Sequence, residues 1–171
     1  MAWSDPYPQP ILVVTTGGTI DKVYFDARSD YEVGESVVGD LLRQAQVRVP
    51  FELIPALRKD SLDVTDADRA LVRATIEARP EQRVMVTHGT DTMTDTARVL
   101  VGLAERTIVL TGSLAPARFA QTDAGFNVGM AFAAVQVLPA GVYIAMNGQI
   151  FGWDEVVKDR ERNQFVPVRS P

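Results

Sequence analysis

Apolar residues along the chain alternate between short continuous runs and stripes at helical spacing. The runs are rich in β-branched residues and end at glycine, histidine or asparagine, a pattern typical of buried parallel strands. They predict strands at 11–15, 51–54, 83–87, 107–111 and 142–146.

Between the runs, apolar residues recur every three or four positions, which predicts helices. The stripes cover 37–45, 93–104 and 126–137. Another helix is predicted from Thr65, which forms a capping box with Asp68, to about Arg79, before a proline. Strands that alternate with helices imply right-handed βαβ units. We therefore predict an α/β fold, a Rossmann-like three-layer sandwich whose parallel sheet has about five strands with helices on both faces.

The length of 171 residues fits one domain, which we place at 11–171 behind a flexible N-terminal segment at 1–10. That segment, MAWSDPYPQP, is polar and proline-rich and lacks the basic and apolar regions of a leader. No run approaches the ~18 apolar residues of a membrane span. We expect a cytoplasmic protein without membrane contact.

Charge and composition narrow the chemistry further. With 22 acidic and 17 basic side chains the net charge is −5, which disfavours a nucleic-acid partner because such partners are bound through clustered cations. Cysteine is absent and His88 is the only histidine, so thiolate chemistry and multi-histidine metal sites are excluded. We expect neither a metal nor a cofactor.

Hydroxyl and glycine residues collect where three of the predicted strands end, at 15–19, 87–91 and 111–113. Ligands of parallel sheets bind beyond these carboxyl ends, and glycine lets the backbone approach them closely. The first turn fits neither the dinucleotide nor the P-loop motif, so a plain strand-exit turn stays open for it. Asp91, at a helix start, is either an N-cap or a functional carboxylate, and the two roles are compatible.

The segments 16–20 (TGGTI) and 88–93 (HGTDTM) together resemble the paired signatures of bacterial-type L-asparaginases. The resemblance runs from about Ile11 to Lys158. Familiar members continue into a smaller C-terminal domain, so this chain is most similar to a short single-domain form. The resemblance implies an L-asparagine amidohydrolase that yields L-aspartate and ammonia through an acyl-threonine intermediate. The alternatives are an amino-acid-binding regulatory module without turnover and an amidase with substantial glutaminase activity.

The resemblance also implies roles for individual residues. Thr19 matches the nucleophile, and a tyrosine or lysine is expected to activate it. Tyr31 matches the tyrosine of the family's Tyr-x-Val-Gly motif, while Tyr24, five residues after Thr19, stays open as the activator. Thr90 and Lys158 match a second pair of hydroxyl and base. A lysine accepts a proton only in its neutral form, which burial favours.

Substrate recognition requires an anion for the ammonium group and donors for the carboxylate. By their positions in the family pattern, Asp91 supplies the anion and Ser61 a donor, with Asp60 as a further candidate. Gly89 lies in the same turn as Asp91, and Ser113 is expected to face the pocket through its backbone. His88 is expected to be buried and to orient the turn.

The family resemblance further implies a homodimer or a higher homo-oligomer. We expect Val156, Val157 and Phe165 to contribute to a contact between copies.

Overall fold

A mostly parallel sheet of six strands forms the centre of the molecule, which a computed structural model describes at residues 9–25, 30–103 and 105–168. Its strands are β1 (Ile11–Gly17), β4 (Phe51–Lys59), β5 (Arg83–Thr87), β6 (Thr107–Thr111), β7 (Gly141–Met146) and β8 (Gln149–Gly152). They lie in the order β4–β1–β5–β6–β7–β8, and all neighbours are parallel except the last pair. The five predicted strands are confirmed, and β8 is added.

The sixth strand follows a two-residue turn. Asn147 and Gly148 both have positive φ, 53° and 75°, as the tightest β-hairpin turns require. The turn reverses the chain, so β8 returns antiparallel to β7. The Asn-Gly pair was therefore a sequence signal for this strand.

Helices cover both faces of the sheet, as predicted. They are α1 (Val38–Gln44), α2 (Asp66–Glu77), α3 (Met93–Leu100) and α4 (Ala124–Val137). Alternate residues of β1 enter opposite cores: Leu12 packs with α2 and α3, whereas Ile11 packs with α1 and α4. The two-residue period of the strand thus produces three layers. The capping box of Thr65 and Asp68 is present at the start of α2.

Two helical predictions need correction. The stripe from Met93 ends at Leu100 rather than 104, where Val101 leaves helical geometry and Gly102 adopts a φ of 83°; residue 104 lies outside the described ranges. The stripe from Phe126 is not the buried face of α4, because Phe126 is 66% exposed and Val137 is also exposed. This helix contains no charged residue, so its sequence has no polar side to mark the solvent face.

Two small hairpins lie outside the main sheet. One pairs β2 (Lys22–Phe25) with β3 (Asp30–Val33), and the other pairs β9 (Val156–Asp159) with β10 (Gln164–Pro167). Val156 and Phe165 are buried in the chain's own core, so the expectation that they contact a second copy is wrong, whereas Val157 is exposed. None of the described helices has the length and apolar character required to traverse a bilayer.

Candidate functional site

Three turns with polar side chains meet at the carboxyl ends of β1, β5 and β6, which are neighbours in the sheet. Parallel strands of one sheet end at the same edge, so the turns after Thr16, Thr87 and Thr111 lie side by side. The hydroxyl of Thr16 donates to the carbonyl of Thr87 at 2.9 Å, which joins the first two turns.

Glycines allow these turns to pack backbone against backbone. A Cβ on Gly18 would lie 2.4 Å from the backbone nitrogen of Gly89, and a Cβ on Gly89 would lie 2.5 Å from the Cβ of Ser61. A Cβ on Gly112 would lie 2.2 Å from the carbonyl oxygen of His88. The sequence suggested glycines that let a ligand approach; in the structure these three admit neighbouring turns.

This packing places Thr19 and Thr90 directly after two contacting glycines, Gly18 and Gly89. Thr19 starts a single 3-10 turn and is partly exposed. Thr90 is 5% exposed. Thr19 and Thr90 therefore belong to adjoining turns at one edge of the sheet.

Lys158 reaches the second turn from β9. Its Nζ donates to Thr90 Oγ1 at 2.7 Å and to Asp91 Oδ1 at 2.8 Å, and its side chain is only 12% exposed. Two hydrogen bonds from one ammonium group, one of them to a carboxylate, form a charge-assisted cluster.

The β9–β10 hairpin explains how a residue in a charged stretch becomes part of this cluster. Phe165 pairs with Lys158 in register and buries its ring in the core. The backbone N–H of Phe165 donates to Asn147 Oδ1 at 2.8 Å, which ties the hairpin to the end of β7. By its composition the stretch was typical of a solvated tail, and its sequence has no alternation of apolar and polar residues to mark it as a strand.

Ser61 adjoins the same cluster from the end of β4. It is buried and begins a 3-10 turn capped by the Asp60 carboxylate, which accepts from the N–H of Leu62 at 3.1 Å. Asp60 also pairs with Lys22 at 2.6 Å. Burial opposes its ionisation, but the hydrogen bonds from Lys22 and Leu62 outweigh burial and lower the pKa of Asp60. Asp60 thus holds the Ser61 turn in place.

Thr92, which the sequence analysis did not single out, connects Ser61 to the turn of Thr90 and Asp91. Its hydroxyl donates to the carbonyl of Ser61 at 2.7 Å. Because Thr92 directly follows Asp91, this bond holds the backbone of Ser61 next to the turn of Asp91, and these are the two residues proposed to bind substrate. Local sequence offers no signal for it, since the partners are 31 positions apart.

The two candidate tyrosines face each other across the β2–β3 hairpin in backbone register. The ring of Tyr31 lies edge-on to Phe119 with the centroids 6.1 Å apart, and Tyr31 is 46% exposed. The side chain of Tyr24 lies outside the described part of the structure.

Ser113 is buried, and its hydroxyl donates to the carbonyl of Ala115 at 2.6 Å, so the hydroxyl is engaged within its own turn. Asp123 holds this turn by accepting from the N–H groups of Leu114 and Ala115 at 3.0 and 3.1 Å. Asn127, one turn along α4, donates to Asp123 Oδ2 at 2.7 Å. The sequence analysis did not assign a role to either α4-associated residue.

His88 has no exposed surface. Its Nδ1 lies 2.8 Å from the carbonyl oxygen of Gly89, and its Nε2 lies 2.8 Å from the hydroxyl of Thr96. A carbonyl oxygen only accepts, so Nδ1 carries the proton and Nε2 accepts from Thr96. Burial lowers the pKa of His88 to about 4, which keeps the ring neutral. His88 orients the turn, as expected.

Within the described ranges, no three His, Asp or Glu side chains lie close enough together to hold a metal ion. The polar groups that these turns bring together are hydroxyl groups, the amine of Lys158 and carboxylates. Such a set can carry out acyl transfer through a hydroxyl nucleophile.

Comparison with known proteins adds family context to this geometry. Residues 10–164 match the family model described as "Asparaginase, N-terminal". A glutaminase-asparaginase of Acinetobacter glutaminasificans is 30% identical over 162 residues, covering 86% of this chain and 49% of that relative. An L-asparaginase of Thermococcus kodakarensis is 30% identical over 175 residues, covering 94% and 52%. The chain spans about half the length of these curated relatives.

Solved structures agree on the fold. The thermostable L-asparaginase from Thermococcus kodakarensis superposes with a TM-score of 0.81 at 25% identity, covering 95% of this chain and 52% of that one. L-asparaginase I from Vibrio cholerae gives a TM-score of 0.83 at 23% identity, covering 96% and 52%. The second likeness, at its lower identity, supports the fold alone.

Proposed function

The chain belongs to the asparaginase family, and on that premise we propose that it hydrolyses the side-chain amide of L-asparagine to L-aspartate and ammonia. The observation that carries the proposal is the Lys158–Thr90–Asp91 cluster at the turn that packs against the turn of Thr19. It supplies a second hydroxyl, a proton-bearing group and an anion beside the proposed nucleophile.

In the proposed reaction the Oγ1 of Thr19 bonds to the amide carbon as its hydroxyl proton passes to Tyr31, whose own phenol proton moves on to the amide nitrogen, with Tyr24 as the alternative relay. The C–N bond then breaks, and the nitrogen leaves as ammonia after receiving a proton. Water hydrolyses the resulting ester, restores the Thr19 hydroxyl and releases aspartate. Backbone N–H groups at the turns of Thr19 and Thr90 stabilise the negative charge on the carbonyl oxygen.

Thr90 and Lys158 serve the second proton transfer in this scheme. Lys158 donates to the Thr90 oxygen at 2.7 Å, which leaves the Thr90 proton directed elsewhere, toward substrate or water. Positioned acid–base groups of this kind contribute about 10²–10⁴-fold to a rate.

Substrate binding is proposed to use Asp91 and Ser61. Lys158 occupies Oδ1 of Asp91, so Oδ2 is left to accept from the substrate ammonium group. Ser61, on the opposite side of the Gly89 contact, donates to the substrate carboxylate. Gly89 and the backbone of Ser113 are proposed to line the substrate pocket between Asp91 and Ser61.

The experiment that tests the proposal is ammonia release from L-asparagine by the purified protein, with Thr19→Ala and Thr90→Val measured alongside. Thr75→Ala is the matched control, because the Thr75 hydroxyl bonds only within α2. We expect turnover in the wild type and the control, and its collapse in both site variants with folding retained. Folded wild-type protein that releases no ammonia would contradict the proposal, and saturable aspartate binding without turnover would point to a binding module.

Glutamine is the second candidate substrate, because one relative is described as a glutaminase-asparaginase. The two amides differ by one methylene, which an apolar pocket discriminates by only about 1–3 kcal/mol. Measuring kcat/KM for both amides in one preparation shows which substrate is preferred. We expect the higher value for asparagine, and a higher value for glutamine would contradict that preference.

Assembly and location complete the proposal. We propose a homo-oligomer, for which the exposed apolar Val157 and Phe126 offer surface, and sedimentation of the pure protein as a monomer would contradict it. We propose a cytoplasmic location; one relative, from Haemophilus influenzae, is described as a probable periplasmic L-asparaginase.

A further inference from the structure

Asp21 is a buried carboxylate that the proposed reaction does not use. It ends the 3-10 turn that Thr19 begins, and it is 1% exposed. Its Oδ1 accepts from the N–H of Val37 at 3.0 Å, while Oδ2 has no hydrogen-bond partner among the described residues. Burial raises the pKa of Asp21, although hydrogen bonds from the Val37 N–H and the Ser36 side chain favour its ionised form, so a carboxylate buried at this position calls for a physical reason.

The positions of the hydrogen bonds made by Asp21 suggest a reason for its burial. The chain leaves Asp21 into β2, returns through β3, and reaches Gly34, whose N–H donates to the carbonyl of Asp21 at 2.8 Å. The carboxylate then holds Val37, at the start of α1. Backbone and side chain of one residue therefore close the base of the β2–β3 hairpin.

The hairpin has further attachments. The guanidinium of Arg58 donates to the carbonyl of Val33 at 2.7 Å at the surface, Lys22 pairs with Asp60 at 2.6 Å, and the half-exposed ring of Tyr31 contacts Phe119. The two bonds made by Asp21 are shielded from water, and shielded hydrogen bonds hold their geometry more firmly than exposed ones. They also act directly on the turn that carries Thr19.

We propose that Asp21 is a positioning residue, which fixes the Thr19 hydroxyl relative to the hairpin that carries Tyr31. The inference rests on the proposed function, since it assigns Asp21 an effect on the step between these two groups. Asp21 touches neither substrate nor the reacting atoms, and acts through the turn and through Val37.

The proposal distinguishes a substitution that keeps the hydrogen-bond acceptor from one that removes it. Asp21→Asn keeps an oxygen for the N–H of Val37 in a side chain of nearly the same size as aspartate. Asp21→Ala removes the acceptor and opens the base of the hairpin. If Asp21→Ala does not fold, Asp21→Ser takes its place, because the serine hydroxyl ends one atom short of the carboxylate oxygens.

The experiment measures kcat and KM for L-asparagine, L-aspartate affinity by calorimetry, and hydrogen exchange of the segment 22–33. Asp40→Ala is the control, an exposed aspartate of α1 that pairs only with Arg43. We expect Asp21→Ala to lower kcat at least tenfold with aspartate affinity unchanged and exchange in 22–33 accelerated. Asp21→Asn is expected to restore kcat to within about threefold of the wild type, and the control to leave every readout unchanged.

Two results would overturn the inference: unchanged kcat in folded Asp21→Ala, or an equal loss of kcat in the alanine and asparagine variants. A wild-type protein that turns over no amide would instead contradict the proposed function. In that event the exchange data still decide whether Asp21 holds the hairpin, since unaltered exchange in Asp21→Ala would refute it.

Discussion

Replacement of Gly89 by alanine tests the contact on which the whole site depends. The new Cβ would lie 2.5 Å from the Cβ of Ser61, 2.6 Å from its Oγ and 3.1 Å from its backbone nitrogen. Carbon atoms pack at about 3.5–4.0 Å, so the overlap is about 1 Å or more. A change of rotamer cannot relieve it, because Cβ is fixed to the backbone. One of the two turns must therefore move.

Overpacking of this kind costs about 1–3 kcal/mol of unfolding free energy. For a chain of 171 residues each kcal/mol lowers the midpoint of thermal unfolding by about 2–4 °C. We expect Gly89→Ala to be destabilised by that amount and to bind L-aspartate more weakly, since Ser61 and Asp91 lie on the two displaced turns. Urea and thermal unfolding followed by circular dichroism measure the first effect, and calorimetry the second.

A double-mutant cycle isolates the contact. Ser61→Gly removes both close atoms, so Gly89→Ala should cost clearly less in that background than in the wild type. Gly125→Ala is the control, because a Cβ there meets nothing within 4 Å on α4, and it should stabilise the helix by about 0.5–1 kcal/mol. Additive energies in the cycle, or a Gly89→Ala variant as stable as the wild type, would refute the reasoning.

Three further predictions concern single side chains around the site. Lys158→Met should reduce turnover by about 10²–10⁴-fold, because it removes the amine that bonds to Thr90. Lys59→Met, which removes the ion pair with Asp68 in the first turn of α2, should retain the wild-type turnover. Equal rates in the two variants would contradict the role assigned to Lys158. His88 has a pKa near 6.5 unfolded and about 4 folded, so the unfolded chain takes up its proton first and stability falls as pH drops between these values, by about 3 kcal/mol in all. The stability gap between wild type and His88→Gln should narrow over that range in urea titrations, and a constant gap would argue against a neutral buried ring. Thr92→Val loses its bond to the Ser61 carbonyl, so stability should fall by about 1 kcal/mol and KM for asparagine should rise with kcat retained; a fall in kcat alone would contradict this role.

Local patterns account for most of the fold that the sequence predicted. The strand from Ile11 and the helix capped at Thr65 depend on residues within a few positions of one another, and both appear as predicted. The spacing of hydrophobic residues and the capping of helices are short-range properties, so both can be recognised in the sequence without knowledge of the tertiary structure. Where a helix lacks charged residues, as α4 does, the pattern identifies the helix but not its buried face.

The candidate site divides along the same line. The sequence determined its residue types and, through the paired motifs at 16–20 and 88–93, its resemblance to a family. The tertiary structure decided which groups meet: Lys158 reaches Thr90 across 68 positions because β9 pairs with a strand whose phenylalanine is buried in the core. It also decided that Asp21 lies buried beneath the hairpin. Contacts between distant residues depend on the packing of whole elements, and no local pattern encodes that packing.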